Sequence, residues 1–276
     1  MTHLIDPDAL HALLASDAPV RVLDVRWRLD QPDGRADHAA GHVPGAVYVD
    51  LEHELAEHPP RPGEGRHPLP PRESLQAAAR RWGLRDGEAV VAYDAVGGLS
   101  AARAWWLLRD AGVADVRVLD GGWQAWQEAH PVETGEVRPE PGDVVLGRGH
   151  LPVVDLDAVV QGRAGLLLDA RAPARYRGEV EPVDPRAGHV PGAVNAPAQQ
   201  SLDPGGRFRP AAELRDAFSA LGAVPGEPVT ASCGSGVTAT HLVLALAEAG
   251  VEAALWPGSW SQWSSRTDLP VATRTD

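Results

Sequence analysis

The chain has 276 residues, a formal net charge of −13 and no lysine, so all 25 of its basic residues are arginine. At roughly 150 residues per domain, this length predicts about two domains. An acidic chain is a poor candidate for sequence-independent binding to nucleic-acid phosphates, and no nucleic-acid partner is expected. The single cysteine excludes an internal disulfide and any zinc site built on several thiolates.

The N-terminal segment lacks the features of an export signal. Asp6, Asp8 and Asp17 stand where such a signal has a basic start and an apolar run. The longest apolar stretch, residues 242–247, is far too short to cross a bilayer. With one free cysteine, these features predict a cytoplasmic protein that does not enter a membrane.

Predicted strands and helices alternate along the chain, and the same order occurs twice. The first half has a strand, a helix, a strand, a helix and a strand at residues 20–25, 72–82, 89–93, 99–111 and 115–119. The second half repeats this order at residues 166–169, 211–221, 228–232, 237–249 and 252–255. Strands that alternate with helices across short loops predict an α/β fold, with a mainly parallel sheet flanked by helices in each half.

An internal repeat accompanies this pattern. The eight residues Ala-Gly-His-Val-Pro-Gly-Ala-Val occupy positions 40–47 and again positions 187–194. Tryptophan-containing turns follow the last strand of each half. A repeat in which all elements keep their order predicts two homologous domains. We place the first at residues 1–133 and the second at 150–276, with a linker rich in Pro, Gly and charge at 134–149.

Cys233 is the candidate nucleophile. It follows the predicted strand 228–232 and begins the loop Cys-Gly-Ser-Gly-Val-Thr, which leads into a helix. Gly234 and Gly236 allow the backbone to curl so that N–H groups point at the sulfur, and a helix N-terminus adds positive potential there. Both effects favour the reactive thiolate. The alternative is an inert, buried cysteine, which is common among lone cysteines.

The composition of this loop limits the chemistry. A cysteine-dependent phosphatase needs an arginine six positions after the cysteine, and this chain has Ala239 there. Phosphate monoester chemistry and arsenate reduction are therefore disfavoured. A small cradle of neutral N–H donors suits a smaller anion, such as a sulfur atom bound to another sulfur.

These motifs resemble the rhodanese superfamily over nearly the whole chain, as two tandem rhodanese-like domains. The resemblance rests on the paired Gly-His-Val-Pro-Gly-Ala turns, the tryptophan turns and the cysteine loop. That loop looks like the one in 3-mercaptopyruvate sulfurtransferases. Thiosulfate sulfurtransferases typically carry two basic residues directly after the cysteine, where this chain has Gly234 and Ser235. Asp94 stands at the place of Cys233 in the first repeat, so the resemblance implies a catalytically silent first domain.

The resemblance implies an enzyme that moves a sulfane sulfur from 3-mercaptopyruvate through a Cys233 persulfide to cyanide or a thiol, and releases pyruvate. A thioredoxin-like dithiol is a further candidate acceptor, and no cofactor is expected. Thiosulfate as the donor is the alternative, and a non-catalytic sulfur-relay or binding protein is a third hypothesis. None of the 11 histidines forms a convincing metal-binding pattern, so no metal is predicted.

The resemblance also assigns residues to the substrate. Arg175 and Arg186 match the arginines that hold the substrate carboxylate, and bidentate arginine suits that group. The loop residues Gly234 and Gly236 contribute to the cradle, and so do Val237 and Thr238 through the start of the helix.

Two further side chains are candidates for catalysis. Ser235 could donate a hydrogen bond to the substrate, or it could cap the loop. His42 is placed near the cleft by the resemblance, with Asp33 or Asp37 as its partner. His189 occupies the same position in the second repeat, so a turn-stabilising role for both histidines is the alternative.

Overall fold

A computed structural model describes residues 2–274, which divide into two compact units. The first unit takes residues 2–57, 70–151 and 204–208, and the second takes residues 58–69, 152–203 and 209–274. The second unit thus includes a segment from the N-terminal half of the chain. The domain borders predicted at 133, 134–149 and 150 stay a prediction.

The first unit contains one five-stranded parallel sheet with the strand order β1-β5-β4-β2-β3. Its elements are β1 (Leu4–Ile5), α1 (Pro7–Leu14), β2 (Val20–Asp24), α2 (Arg35–Ala40), β3 (Val47–Tyr48), α3 (Leu51–Glu54), α4 (Arg72–Arg81), β4 (Ala89–Tyr93), α5 (Ala101–Asp110), β5 (Val116–Leu119) and α6 (Gly122–Gln127).

The second unit contains a four-stranded parallel sheet with the strand order β7-β6-β8-β9. Its elements are α7 (Leu156–Val160), β6 (Leu166–Asp169), α8 (Pro173–Tyr176), β7 (Val194–Asn195), a 3-10 helix (Ala198–Ser201), α9 (Ala211–Ala220), β8 (Val229–Ser232), α10 (Val237–Glu248), β9 (Ala254–Leu255) and α11 (Ser259–Ser265).

The predicted fold class, an α/β protein with a mainly parallel sheet and helices in each repeat, is confirmed. The predicted strands and helices agree with the structure within two residues at each end, because their apolar periodicity reflects burial in the core. The tryptophan turns differ from prediction, since each includes a short helix, α6 and α11. Among residues 2–274, no helix combines the length and apolar character needed to cross a membrane.

Strand β8 is buried along its whole length between β6 and β9. Its two hydroxyl side chains are satisfied by neighbouring carbonyl groups: Thr230 donates to Ala164 O at 2.6 Å and Ser232 to Leu168 O at 3.0 Å. A buried polar side chain is tolerated when it has such a partner. The strand therefore ends at a fixed position, and the next residue is Cys233.

Candidate active site

The cysteine loop lies at the carboxyl end of β8, where ligands bind in open parallel sheets. Cys233 is 2% exposed, and its Sγ accepts the backbone N–H of Gly236 at 3.2 Å. Helix α10 begins at Val237, immediately after this contact. The sulfur thus has an amide donor and a helix N-terminus beside it, and both place positive potential at the sulfur.

The loop is held in place by the segment that enters α11. The Ser259 hydroxyl accepts the N–H of Cys233 at 3.1 Å, and Trp260 N–H donates to Cys233 O at 3.0 Å. Gly236 has φ +82°, and a Cβ there would lie 2.3 Å from Pro257 O. Only glycine fits at this position, which explains the second glycine of the loop.

Ser235 is paired with a histidine that the sequence analysis did not single out. The Nδ1 atom of His67 lies 2.7 Å from Ser235 Oγ, and both side chains are buried. His67 belongs to the 58–69 segment of the second unit. A hydroxyl bonded to an imidazole can exchange a proton with a reacting group.

Two arginines cover the loop residue after the cysteine. A Cβ at Gly234 would lie 3.2 Å from Arg66 Nη2 and 3.4 Å from Arg175 Nη1. Arg175, predicted as a substrate arginine, is therefore next to the cysteine loop. Arg66 was not predicted, and it supplies positive charge at the loop from a distant part of the chain.

Both arginines are ion-paired with buried carboxylates. Arg175 Nη2 lies 2.6 Å from Glu181 Oε1 and 3.1 Å from Asp184 Oδ2, and Arg66 pairs with Asp184 Oδ1. Burial raises the pKa of Asp184, and Glu181 adds to this, whereas Arg66 and Arg175 oppose it. For Glu181, burial also raises the pKa, but hydrogen bonds from Arg175 and two backbone amides outweigh it and lower the pKa overall.

A third arginine completes this cluster. Arg171 lies along Asp169, with Nη2 at 2.6 Å from Oδ2, and donates to Gly188 O at 2.8 Å. Its Nη1 is 3.5 Å from Glu181 Oε2. Arg26 makes the same bonds to Asp24 and Gly41 O in the first unit, so this motif is a structural feature of both repeats.

Arg186, the other predicted substrate arginine, is not brought to the loop. Its guanidinium donates to four backbone carbonyl groups at the end of α11 and after it, namely those of Trp263, Ser264, Arg266 and Leu269. These bonds satisfy helix carbonyls that would otherwise lack a partner. The geometry supports a structural role for Arg186, and Arg66 is the arginine that accompanies Arg175.

His42 has contacts of the turn-stabilising kind in the first unit. It is fully buried, its Nδ1 lies 2.9 Å from His38 O, and its ring stacks on His38 with centroids 4.0 Å apart. His189 has the corresponding arrangement with Tyr176, with Nδ1 2.7 Å from Tyr176 O. Both histidines thus hold the repeated turn to the element that precedes it.

The acids expected to accompany His42 bind other groups. The Asp33 carboxylate accepts the backbone N–H of Arg35 at 3.0 Å, and the Asp37 carboxylate accepts a hydrogen bond from Gln31 Nε2 at 3.0 Å. The catalytic role of His42 stays a prediction.

Asp94 directly follows β4, as Cys233 directly follows β8. Its carboxylate is fully buried and accepts four backbone N–H groups of the following loop, from Val96, Gly98, Ser100 and Ala101, at 2.7–2.8 Å. Burial raises the pKa of this carboxyl, and the four N–H groups oppose that rise. Trp123 N–H donates to Asp94 O, just as Trp260 N–H donates to Cys233 O. The first repeat thus has an anion cradle that its own carboxylate fills.

Comparison with known proteins agrees with this architecture. The family model described as a rhodanese-like domain matches residues 6–129 and 155–266. The chain belongs to the rhodanese family.

Within the described residues, no cluster of three or more His, Cys, Asp or Glu side chains could hold a metal ion.

Relatives of similar length carry sulfurtransferase names. A Mycobacterium tuberculosis protein named "Putative thiosulfate sulfurtransferase SseB" is 48% identical over 99% of this chain and 97% of its own length. A Pseudomonas aeruginosa protein named "Probable 3-mercaptopyruvate sulfurtransferase" is 46% identical over 94% of both chains. The crystal structure of SseA from Escherichia coli, described under 3-mercaptopyruvate sulfotransferases, has a TM-score of 0.83 and 33% identity, and covers 95% of this chain and 100% of its own. The prediction of a sulfurtransferase is confirmed at the level of the enzyme class.

Sequence reasoning missed the part of the site that comes from residues 58–69. One signal was present, because Gly65-Arg66-His67 has a counterpart in Gly206-Arg207-Phe208 of the second repeat. In both cases the segment belongs to the unit formed mainly by the other half of the chain. The acids Glu181 and Asp184 follow α8 in a loop whose pattern gave no indication of burial.

Proposed function

We propose that this sulfurtransferase takes its sulfur from 3-mercaptopyruvate and carries it as a Cys233 persulfide. The observation that carries the proposal is the environment of Cys233: its Sγ accepts the Gly236 amide, and Ser235 of the same loop is bonded to His67. The loop itself contributes no charged side chain. A thiolate nucleophile and a proton donor thus stand within four residues of each other.

In the first step the Cys233 thiolate attacks the sulfur of the donor. The bond between that sulfur and the donor carbon breaks, and its electron pair leaves with carbon as the enolate of pyruvate. Protonation of that carbon gives pyruvate, and the outer sulfur stays on Cys233 as a persulfide. The Ser235 hydroxyl is the proposed proton donor, with His67 Nδ1 as the group that replaces the proton.

Orientation of the donor falls to the arginines beside Gly234. The side chains of Arg175 and Arg66 are 19% and 27% exposed, so both are partly open to solvent. A guanidinium binds a carboxylate through two parallel hydrogen bonds, which fixes the direction of approach. We therefore assign the donor carboxylate to Arg175 and Arg66 and leave Arg186 out of the substrate site.

In the second step a thiophilic acceptor removes the outer sulfur. Cyanide attacks that sulfur, the sulfur–sulfur bond breaks, and thiocyanate leaves with the Cys233 thiolate restored. A thiol attacks in the same way and becomes a persulfide itself. With a dithiol such as a thioredoxin-like protein, the second thiol then forms a disulfide and releases hydrogen sulfide.

Thiosulfate is the second candidate donor. Two observations favour it: the name of the 48% identical relative and the presence of Arg66 beside the loop, which supplies positive charge that the loop residues lack. In that reaction the same persulfide forms and sulfite leaves. The two candidate functions are distinguished by which donor gives the higher kcat/KM.

The test is direct measurement of the sulfur on the protein. Incubation with 3-mercaptopyruvate is expected to add one sulfur atom to the intact mass and to release pyruvate, and Cys233→Ser is expected to do neither. Ser235→Ala serves as a control, because it keeps the nucleophile and is expected to lower the rate without removing the sulfur adduct. A wild-type protein that gains no sulfur from either donor would contradict the proposal.

A further inference from the structure

The acids Glu181 and Asp184 are more deeply buried than the arginines they pair with. Their side chains are 4% and 3% exposed, compared with 27% for Arg66 and 19% for Arg175. Burial of a carboxylate is costly unless it is paired. Here the pairing uses the same guanidinium groups that lie over Gly234 of the cysteine loop.

The charges of this cluster balance. The guanidinium groups of Arg66, Arg171 and Arg175 face the carboxylates of Asp169, Glu181 and Asp184. In the proposed reaction Cys233 acts as a thiolate, which gives these seven groups a net negative charge before a donor binds. An anionic donor that approaches Arg66 or Arg175 therefore meets arginines already neutralised by carboxylates.

The arginines also retain unused donors. Among residues 2–274, the buried Nε atoms of Arg66 and Arg175 and Nη1 of Arg171 have no hydrogen-bond partner, and neither has Glu181 Oε2. The ion pairs are therefore incomplete as hydrogen-bonding units. These atoms are buried, so a donor carboxylate meets the exposed parts of the Arg66 and Arg175 side chains, in the field of the acids.

We propose that Glu181 and Asp184 set the donor selectivity of the site, by neutralising Arg66 and Arg175 so that singly charged donors are accepted more readily than doubly charged ones. This inference rests on the proposed function. It assigns to the two acids a role separate from catalysis: they touch the arginines, and the arginines touch the donor.

The physical basis is the proportionality of electrostatic energy to charge. Removing one negative charge from the cluster favours every anionic donor, and the gain in free energy for a dianion is twice that for a monoanion. A gain of roughly threefold in kcat/KM for 3-mercaptopyruvate thus corresponds to roughly tenfold for thiosulfate, because a doubled free energy squares the ratio. Added salt shrinks both gains, since the site is partly open to solvent.

The experiment compares kcat/KM for the two donors in the wild type, Glu181→Gln and Asp184→Asn. Both substitutions keep the size of the side chain and remove its charge. The matched control is Glu179→Gln, in the same loop, where the side chain is 53% exposed and pairs with Arg177. In both variants we expect the ratio of kcat/KM values to shift in favour of thiosulfate over 3-mercaptopyruvate. In the control we expect this ratio to stay within about twofold of the wild type, because exposed charges are strongly screened.

The outcomes separate the two proposals. The role of the acids is overturned if the variants keep the wild-type ratio of kcat/KM values for the two donors, including the case in which both values fall in proportion. Turnover by the wild type would still support the sulfur-transfer function. If the wild type turns over neither donor, the proposed function fails. The selectivity is then decided by calorimetry, which compares the affinities of Cys233→Ser for thiosulfate and pyruvate with those of the double variant Cys233→Ser/Asp184→Asn. Circular dichroism of each variant checks that the fold is retained.

Discussion

The carboxylate of Asp94 offers a stringent test of the interpretation that the first repeat holds an internal anion. Its Oδ1 accepts the N–H groups of Val96 and Gly98, and its Oδ2 accepts those of Ser100 and Ala101. The side chain is fully buried. The substitution Asp94→Asn keeps the shape of the side chain and replaces one of these acceptor oxygens by an NH₂ donor.

The expected loss of stability follows from the number of donors left without a partner. The amide oxygen of Asn can serve one pair of N–H groups, and the other pair then faces an NH₂ group. An unsatisfied buried donor costs about 1–3 kcal/mol, so two of them predict a loss of about 2–6 kcal/mol for the first unit. Burial raises the pKa of Asp94, so removal of the charge offsets part of this loss.

The measurement is urea unfolding followed by tryptophan fluorescence, and the first of two transitions is expected to move if the units unfold separately. Asp30→Asn is the control, since that carboxylate is 77% exposed and pairs with Arg28 at the surface. We expect the control to change the unfolding free energy by less than about 1 kcal/mol. An Asp94→Asn protein as stable as the control would refute the interpretation of an anion cradle.

Three further predictions concern the histidines and Arg186. His67→Asn keeps a hydrogen-bonding group near Ser235 but cannot pass on a proton as an imidazole does. We therefore expect kcat to fall roughly 10²-fold with little change in KM, and an unchanged kcat would remove His67 from the mechanism. Arg186→Ala leaves helix carbonyls without donors and is expected to lower the free energy of unfolding by about 2–4 kcal/mol. We expect KM for 3-mercaptopyruvate to stay within about twofold of the wild type. A large rise in KM at unchanged stability would instead place Arg186 in the substrate site. Burial lowers the pKa of His42 from its ordinary 6.5, so the unfolded chain binds this proton first and stability is lost as the pH falls below that value. His42→Gln is expected to reduce the slope of unfolding free energy against pH by up to about 1.4 kcal/mol per pH unit, and an unaltered slope between about pH 7 and 5 would contradict this.

Arg175 and Arg186 illustrate what local sequence can and cannot predict. Both arginines lie between a buried strand and the repeated turn, and the family pattern marks both. Only tertiary contacts distinguish them: Arg175 faces Gly234, whereas Arg186 binds the carbonyl groups at the end of α11. No short-range pattern encodes this difference, because the partners of Arg186 lie more than 70 residues away in the chain.

His67 and His42 make the same point for the histidine that is proposed to take part in catalysis. The repeat drew attention to His42, whose neighbours are identical in both halves. The histidine beside Ser235 comes instead from a proline- and glycine-rich segment without any apolar period. Such a segment is placed by what it packs against, and here that is the cysteine loop 168 residues further along the chain.

The duplicated α/β architecture was predictable from the residues alone, because apolar periodicity and an eight-residue repeat record which faces are buried and in which order. The candidate nucleophile could be named from the residues as well, since Cys233 is the single cysteine and stands between a buried strand and a glycine loop that leads into a helix. Which charges and which histidine surround that cysteine became visible only in the folded chain. Hydrogen bonds and ion pairs depend on distances in space, and Arg66 and His67 reach the loop through the packing of a segment far from it in the chain.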